Sequence, residues 1–157
     1  MTLLLQLPGA SEWIVILMVF GIIFIVPYVF FLLTLQNTLL AISPENRKMP
    51  PSNVWLMFIP LFNLVWQFIM VTNIAESIKA ECIRLHVSVS ESKPTAGIGL
   101  AWNICSVCFF IPFAPLASLV LLIIYWVKVN EYKNLIIANK DNFLLDAERN
   151  IFYAGKA

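Results

Sequence analysis

The 157-residue chain is 61% hydrophobic and 12% charged, with ten Lys/Arg, nine Asp/Glu, one His and a net charge of +1. A mean hydropathy of +0.86 leaves no room for a sizeable water-facing domain, so the lipid bilayer is the expected solvent. The near-neutral charge gives no footprint for nucleic acid. A single histidine completes neither a catalytic triad elsewhere nor a four-ligand metal site, and no Gly-rich phosphate loop occurs.

Residues 14–40 carry no charge and exceed the roughly 20 residues that cross about 30 Å of hydrocarbon, which predicts a first span over about 13–40. Ser11 is the expected cap, Glu12 suits the positive helix end, and Trp13 suits the headgroup boundary. Pro27 is expected to kink this helix and so calls for neighbours that replace the lost hydrogen bond. A signal peptide is the competing reading. The segment lacks a basic n-region and a small-residue cleavage site, and its apolar run is too long, so it is read as an uncleaved helix behind an interfacial lead at 1–7.

Residues 43–53 form a polar loop in which Pro44, Pro50 and Pro51 forbid a continuous helix. The second span is expected over about 54–71, capped by Ser52, with Pro60 inside it as a kink or break. Asn63 and Gln67, four residues apart, share one face and serve either as interhelical glue or as the lining of a polar cavity. Further on, Ile74, Ile78, Cys82 and Leu85 recur at helical spacing while Glu76, Lys79, Glu81 and Arg84 take the other sides. The helix is therefore expected to leave the membrane with its charges on a solvated face, followed by a linker over 86–94.

The third span, about 95–111, ends at Pro112, and an uncharged turn leads to a fourth over about 116–137, whose interface end Tyr125 and Trp126 mark. Both spans are short, so a re-entrant hairpin is the alternative. After a break at 139–142 with Asp141 as cap, a surface tail over about 139–157 places Phe143, Leu144, Ala147 and Ile151 opposite Asp146, Glu148 and Arg149. The expected fold is a single all-α integral membrane domain of four transmembrane helices in two hairpins, with amphipathic cytoplasmic extensions over 72–85 and 129–151. Four crossings set Lys79, Arg84, Lys93, Lys128, Lys133, Lys140, Arg149 and Lys156 on one side and only Arg47 and Lys48 on the other. Both termini are then cytoplasmic.

Three motifs carry a family resemblance: Gln36-Asn37-Thr38-Leu39, Met49-Pro50-Pro51-Ser52-Asn53-Val54-Trp55, and Phe58-Ile59-Pro60-Leu61-Phe62-Asn63-Leu64. Over residues 30–79 the chain resembles an uncharacterised bacterial family of small multi-pass membrane proteins, a domain of unknown function. Here Thr38 separates Asn37 from Leu39, and Trp66-Gln67 occupies the region where a second proline is usual. The resemblance implies the fold and a bacterial inner membrane, and no activity.

Chemistry is sparse. Cys105 and Cys108 form a Cys-x-x-Cys pair on one face of the third span, but a membrane thiol oxidoreductase needs a second pair, and only Cys82 remains. Cys82 and His86 share a face at i,i+4 without completing a metal site. The spans contain no charge in their apolar cores, while Thr34, Gln36, Asn37, Asn63, Gln67 and Asn103 supply neutral polar groups for packing or for lining a pore. Phe-Ile-Pro occurs twice, at 58–60 after Asn53 and at 110–112 after Asn103, at unequal spacings that make a weak internal repeat. Proline-broken segments around Pro60 and Pro112 are a feature of transporters. The sequence thus points to a multi-pass protein without catalytic chemistry, metal or cofactor. It is expected to act as an accessory, scaffold or self-associating subunit beside a protein partner or further copies of itself. An oligomeric channel or small-solute transporter is the alternative, and a thiol oxidoreductase using Cys105 and Cys108 the remote one.

Overall fold

The computed structural model describes residues 9–89, 91–108 and 110–154. Its elements are α1 (Ala10–Ala41), the 3-10 helices η1 (Pro44–Asn46) and η2 (Pro51–Phe58), α2 (Pro60–Arg84), α3 (Ala96–Val107) and α4 (Ala114–Ala154), with no strand among the described residues. Three helices, over Ser11–Ala41, Pro60–Arg84 and Ala114–Asp146, are long and apolar enough to cross a membrane. The expected lead at 1–7 and the last three residues lie outside the described residues. The chain divides after Leu33 into two compact units.

In the first unit, α1 starts one residue before the expected cap. The Glu12 carboxylate accepts the Gly9 N–H at 3.1 Å, which makes Glu12, not Ser11, the capping side chain. Pro27 lies inside α1 without ending it, and every residue from Trp13 to Phe20 is exposed. In water that surface would be untenable. In hydrocarbon it is the ordinary outer face of a helix.

In the second unit, cross-element contacts fix the direction of each element. α3 runs antiparallel to α2, because Ser106 meets Gln67 near one end and Lys93 meets Glu76 near the other. It is also antiparallel to α4, with Trp102 stacked on Tyr125 at 5.8 Å and Glu91 paired with Lys128 at 2.6 Å. That pairing holds the half-buried Glu91 carboxyl below the usual carboxylate range. The segment after α1 runs antiparallel to α2, since Asn46, Lys48 and Asn53 meet Glu81, Ser77 and Trp66 in turn. The end of α1 follows α4, with Thr34 bonded to Trp126 and Ala41 to Lys140. The last turns of α1, all of α2 and α4 therefore run in one direction, and η2 and α3 run back.

Several expectations change here. The segment over 54–71 is not one helix: η2 stops at Phe58, Ile59 is extended, and Pro60 opens α2, where a missing N–H costs nothing. α3 has 12 residues, about 18 Å of rise, and is shorter than the span expected over 95–111. α4 passes through 139–142 unbroken, so Asp141 caps nothing; Asn139 answers its own helix by donating to the Leu135 carbonyl at 2.8 Å. Tyr125, expected at an interface, is fully buried.

α2 ends in a Schellman arrangement, with Val87 N–H on the Cys82 carbonyl and His86 N–H on that of Ile83. His86 takes the left-handed φ of 55° that this motif requires, so it leaves the helix instead of sharing a face with Cys82.

Gly99 marks a tight helix contact. A Cβ there would lie 2.5 Å from Val71 Cγ1 and 2.8 Å from Tyr125 Cε2, whereas at Gly97 it would meet nothing within 4 Å. Gly99→Ala is therefore expected to cost about 1–3 kcal/mol through overpacking, and Gly97→Ala to be neutral or to stabilise by up to about 1 kcal/mol. Thermal unfolding in detergent, followed by tryptophan fluorescence, distinguishes the two. Equal melting temperatures for both variants would refute the packing assignment.

Candidate functional site

Two groups of polar side chains stand out against the apolar helices. The first lies where the end of α1 meets α2. Glu81 is fully buried, and its carboxylate accepts from Ser43 Oγ at 3.0 Å, Asn46 Nδ2 at 2.6 Å and Arg84 Nη2 at 2.6 Å. One turn earlier, Ser77 Oγ accepts the Lys48 N–H at 2.8 Å. Arg47 donates to the carbonyls of Ile42 at 2.9 Å and Leu40 at 3.1 Å, and Lys140 reaches the carbonyl of Ala41 at 3.3 Å. These cations answer carbonyls that the last turn of α1, with no basic residue of its own, leaves open. Arg47 and Lys140 thus stand at the same end of α1, where the sequence had set them on opposite sides of the bilayer.

Glu81 was expected on a solvated face with Arg84. The pairing with Arg84 occurs, but the carboxylate is enclosed, and Glu76 pairs with Lys93 at 3.4 Å. A signal for this was present: Glu81 lies seven residues after Ile74 and three after Ile78, on the same stripe as the buried residues. Ser43 and Asn46 carry no comparable signal, because loop residues acquire meaning only from what they meet.

The second group lies between α2 and α3. Gln67, buried, accepts from Ser106 Oγ at 3.3 Å, and Asn103, fully buried, has no partner among the described residues for either end of its amide. Asn63, one turn before Gln67, has a buried side-chain oxygen without a partner. The structure thus brings Gln67 to Ser106, with Asn103 one turn away on α3 and Asn63 one turn away on α2. It does not bring Gln36 and Asn37 to this seam: Gln36 accepts from Trp55 Nε1 at 2.8 Å, and Asn37 is exposed.

Tryptophan indoles act as cross-braces. Besides Trp55, Trp66 donates to the Asn53 carbonyl at 3.0 Å and Trp126 to Thr34 Oγ1 at 2.8 Å. Each satisfies its N–H inside the chain. The three cysteines are free thiols, Cys82 buried and Cys105 and Cys108 half-buried, with Cys105 in α3 and Cys108 just past its end. No group of three metal-binding side chains occurs among the described residues. Comparison with protein-family models, curated proteins and solved structures finds no match.

Chemically, the Glu81 cluster is a charged clamp and the α2–α3 seam a neutral polar one. Glu81→Ala strips three donors of their acceptor and is expected to cost on the order of 2–4 kcal/mol, with Glu81→Gln losing less. An unchanged melting temperature for Glu81→Ala in detergent would remove the carboxylate from its central place. At the seam, Gln67→Leu is expected to cost up to about 1 kcal/mol, while Asn103→Leu, which removes two unanswered polar groups and keeps the branched shape, should hold or raise stability. A clear loss for Asn103→Leu would show that its amide is answered within the membrane.

Proposed function

We propose that this chain is a non-enzymatic membrane protein that works through its contacts, as an accessory, scaffold or self-associating subunit of a membrane complex. The observation that carries this reading is the end of α4. Arg84 lies over the Phe143 ring at 5.3 Å, and beyond that contact Leu144, Leu145 and Ile151 are exposed on a helix that continues to Ala154. The exposed stripe of Leu144 and Ile151, flanked by Asp146, Glu148 and Arg149, fits a partner helix or the headgroup layer. By contrast, the extension over 72–85 buries Ile74, Ile78 and Cys82 within its own chain, so the partner surface narrows to α4.

The polar residues offer less support for an oligomeric channel. Gln67 and Asn103 are enclosed within one chain and lack the exposure a shared pore would require of its lining. Cys105 and Cys108 stand without a second pair, which leaves thiol chemistry unsupported. The inner membrane of a bacterium remains the proposed location, on the resemblance of residues 30–79.

Native mass spectrometry of the tagged protein, released from its own membrane in mild detergent, tests the reading. A stoichiometric second protein or a closed homo-oligomer is the expected result, weakened when Leu144 and Ile151 are both replaced by Ser. A bare monomer under all mild conditions would overturn it.

A further inference from the structure

The last turns of α1, all of α2 and α4 share one direction, which poses a topological problem for the chain. Successive crossings in the same sense require the intervening segments to return through the bilayer, yet η2 and α3 rise only about 16 Å and 18 Å by their residue counts. The two turns that follow them carry no polar side chain. Phe58, Ile59 and Leu61 are exposed at the first, and Phe110, Ile111 and Phe113 at the second.

We propose that the η2–α2 and α3–α4 hairpins are re-entrant. Both enter the bilayer from the face that holds the basic residues and turn back inside it, and α1 alone crosses.

Four observations support this, beginning with length. The uncharged part of α2, residues 60–75, rises about 24 Å and that of α4, residues 114–127, about 21 Å, against about 30 Å of hydrocarbon. Both helices are long enough in full to cross, but with their charged parts kept out of the hydrocarbon each turn stops short of the far headgroups. By comparison, residues 14–35 of α1 rise about 33 Å, enough to cross.

Charge agrees. Arg47 and Lys48 face the same end of α2 as Lys79 and Arg84, and Lys140 joins Arg47 on the carbonyls that end α1. Lys93 and Lys128 stand at the level of Glu76 and Glu91, with Lys133 and Arg149 farther along α4. All Lys and Arg of the described residues then lie on one side of the hydrocarbon, as the positive-inside rule favours for the cytoplasmic face. With a single crossing, the N-terminus belongs to the opposite face.

Backbone hydrogen bonds tighten both turns. Irregular backbone at membrane depth is tolerated only where it is buried in protein or lines a water-filled cavity, and each turn answers part of its own backbone. At the first turn Ile59 N–H meets the Leu56 carbonyl at 3.1 Å and Asn63 N–H meets that of Ile59 at 2.8 Å. At the second, Ile111 N–H meets Cys108, Ala114 meets Ile111, and Ala117 meets Phe113, at 3.0–3.1 Å. Pro60, Pro112 and Pro115 have no N–H to leave open.

The fourth observation is repetition: a short helix inward, Phe-Ile-Pro at the turn, and a long helix outward, built twice in the same sense.

Single cysteines in an otherwise cysteine-free full-length chain, probed with a membrane-impermeant maleimide in right-side-out and inverted vesicles, test the proposal. Glu45→Cys, Ser92→Cys and Asp141→Cys should react from one face, and Ser11→Cys from the other. Leu61→Cys and Leu116→Cys should react from neither face until detergent is added. These two exposed sites lie on different hairpins, so a folding failure in one leaves the other informative, and the melting temperature of each variant checks its fold. Glu45→Cys reacting from the face opposite Asp141→Cys would restore four crossings and overturn the proposal. Reaction of Leu61→Cys or Leu116→Cys from the far face of intact vesicles would overturn re-entry by showing complete return crossings.

Discussion

The open carbonyls at the end of α1 are the constraint that the second unit is built around. A helix leaves four acceptors unanswered at its C-terminus, and α1 brings no basic residue to its last turn. Arg47, folding back from the next loop, and Lys140, from α4, answer Leu40, Ala41 and Ile42. With Arg47 turned back, Ser43 and Asn46 point at α2, where Glu81 receives both. The carboxylate in turn depends on them: enclosed, it would cost several kcal/mol without donors around it. Each partner removes a cost that another creates, and the registers of α1, α2 and α4 follow from that mutual need.

Away from this clamp the forces differ in kind. Lipid competes with side chains for apolar contact on equal terms, so close packing and a few polar pairs must hold the helices together. Gly99 supplies the packing by admitting Val71 and Tyr125 to the backbone of α3. Ser106 and Gln67 supply one polar pair, and the indoles of Trp55, Trp66 and Trp126 supply ties between segments far apart in sequence. Asn103 breaks the pattern, because both ends of its amide are enclosed and unanswered. It lies beside the Gln67–Ser106 pair, since Ser106 Oγ also donates to the Asn103 carbonyl at 2.8 Å.

How much of this was legible depended on whether the signal was local. Helical character, the membrane as solvent and the proximity of Asn63 to Gln67 follow from composition and spacing, which the chain carries within a few turns. The position of Pro60 was legible only as a break. Its role as the first residue of α2 depends on η2 stopping at Phe58, which short-range pattern does not fix. The break expected at 139–142 failed because polar residues at a helix surface need no turn when their side chains can answer their own helix, as Asn139 does. Direction was the least legible feature. Hydropathy counts segments without stating which way they run, and the side on which Arg47 lies depends on its contact with Leu40 and Ile42 rather than on any count.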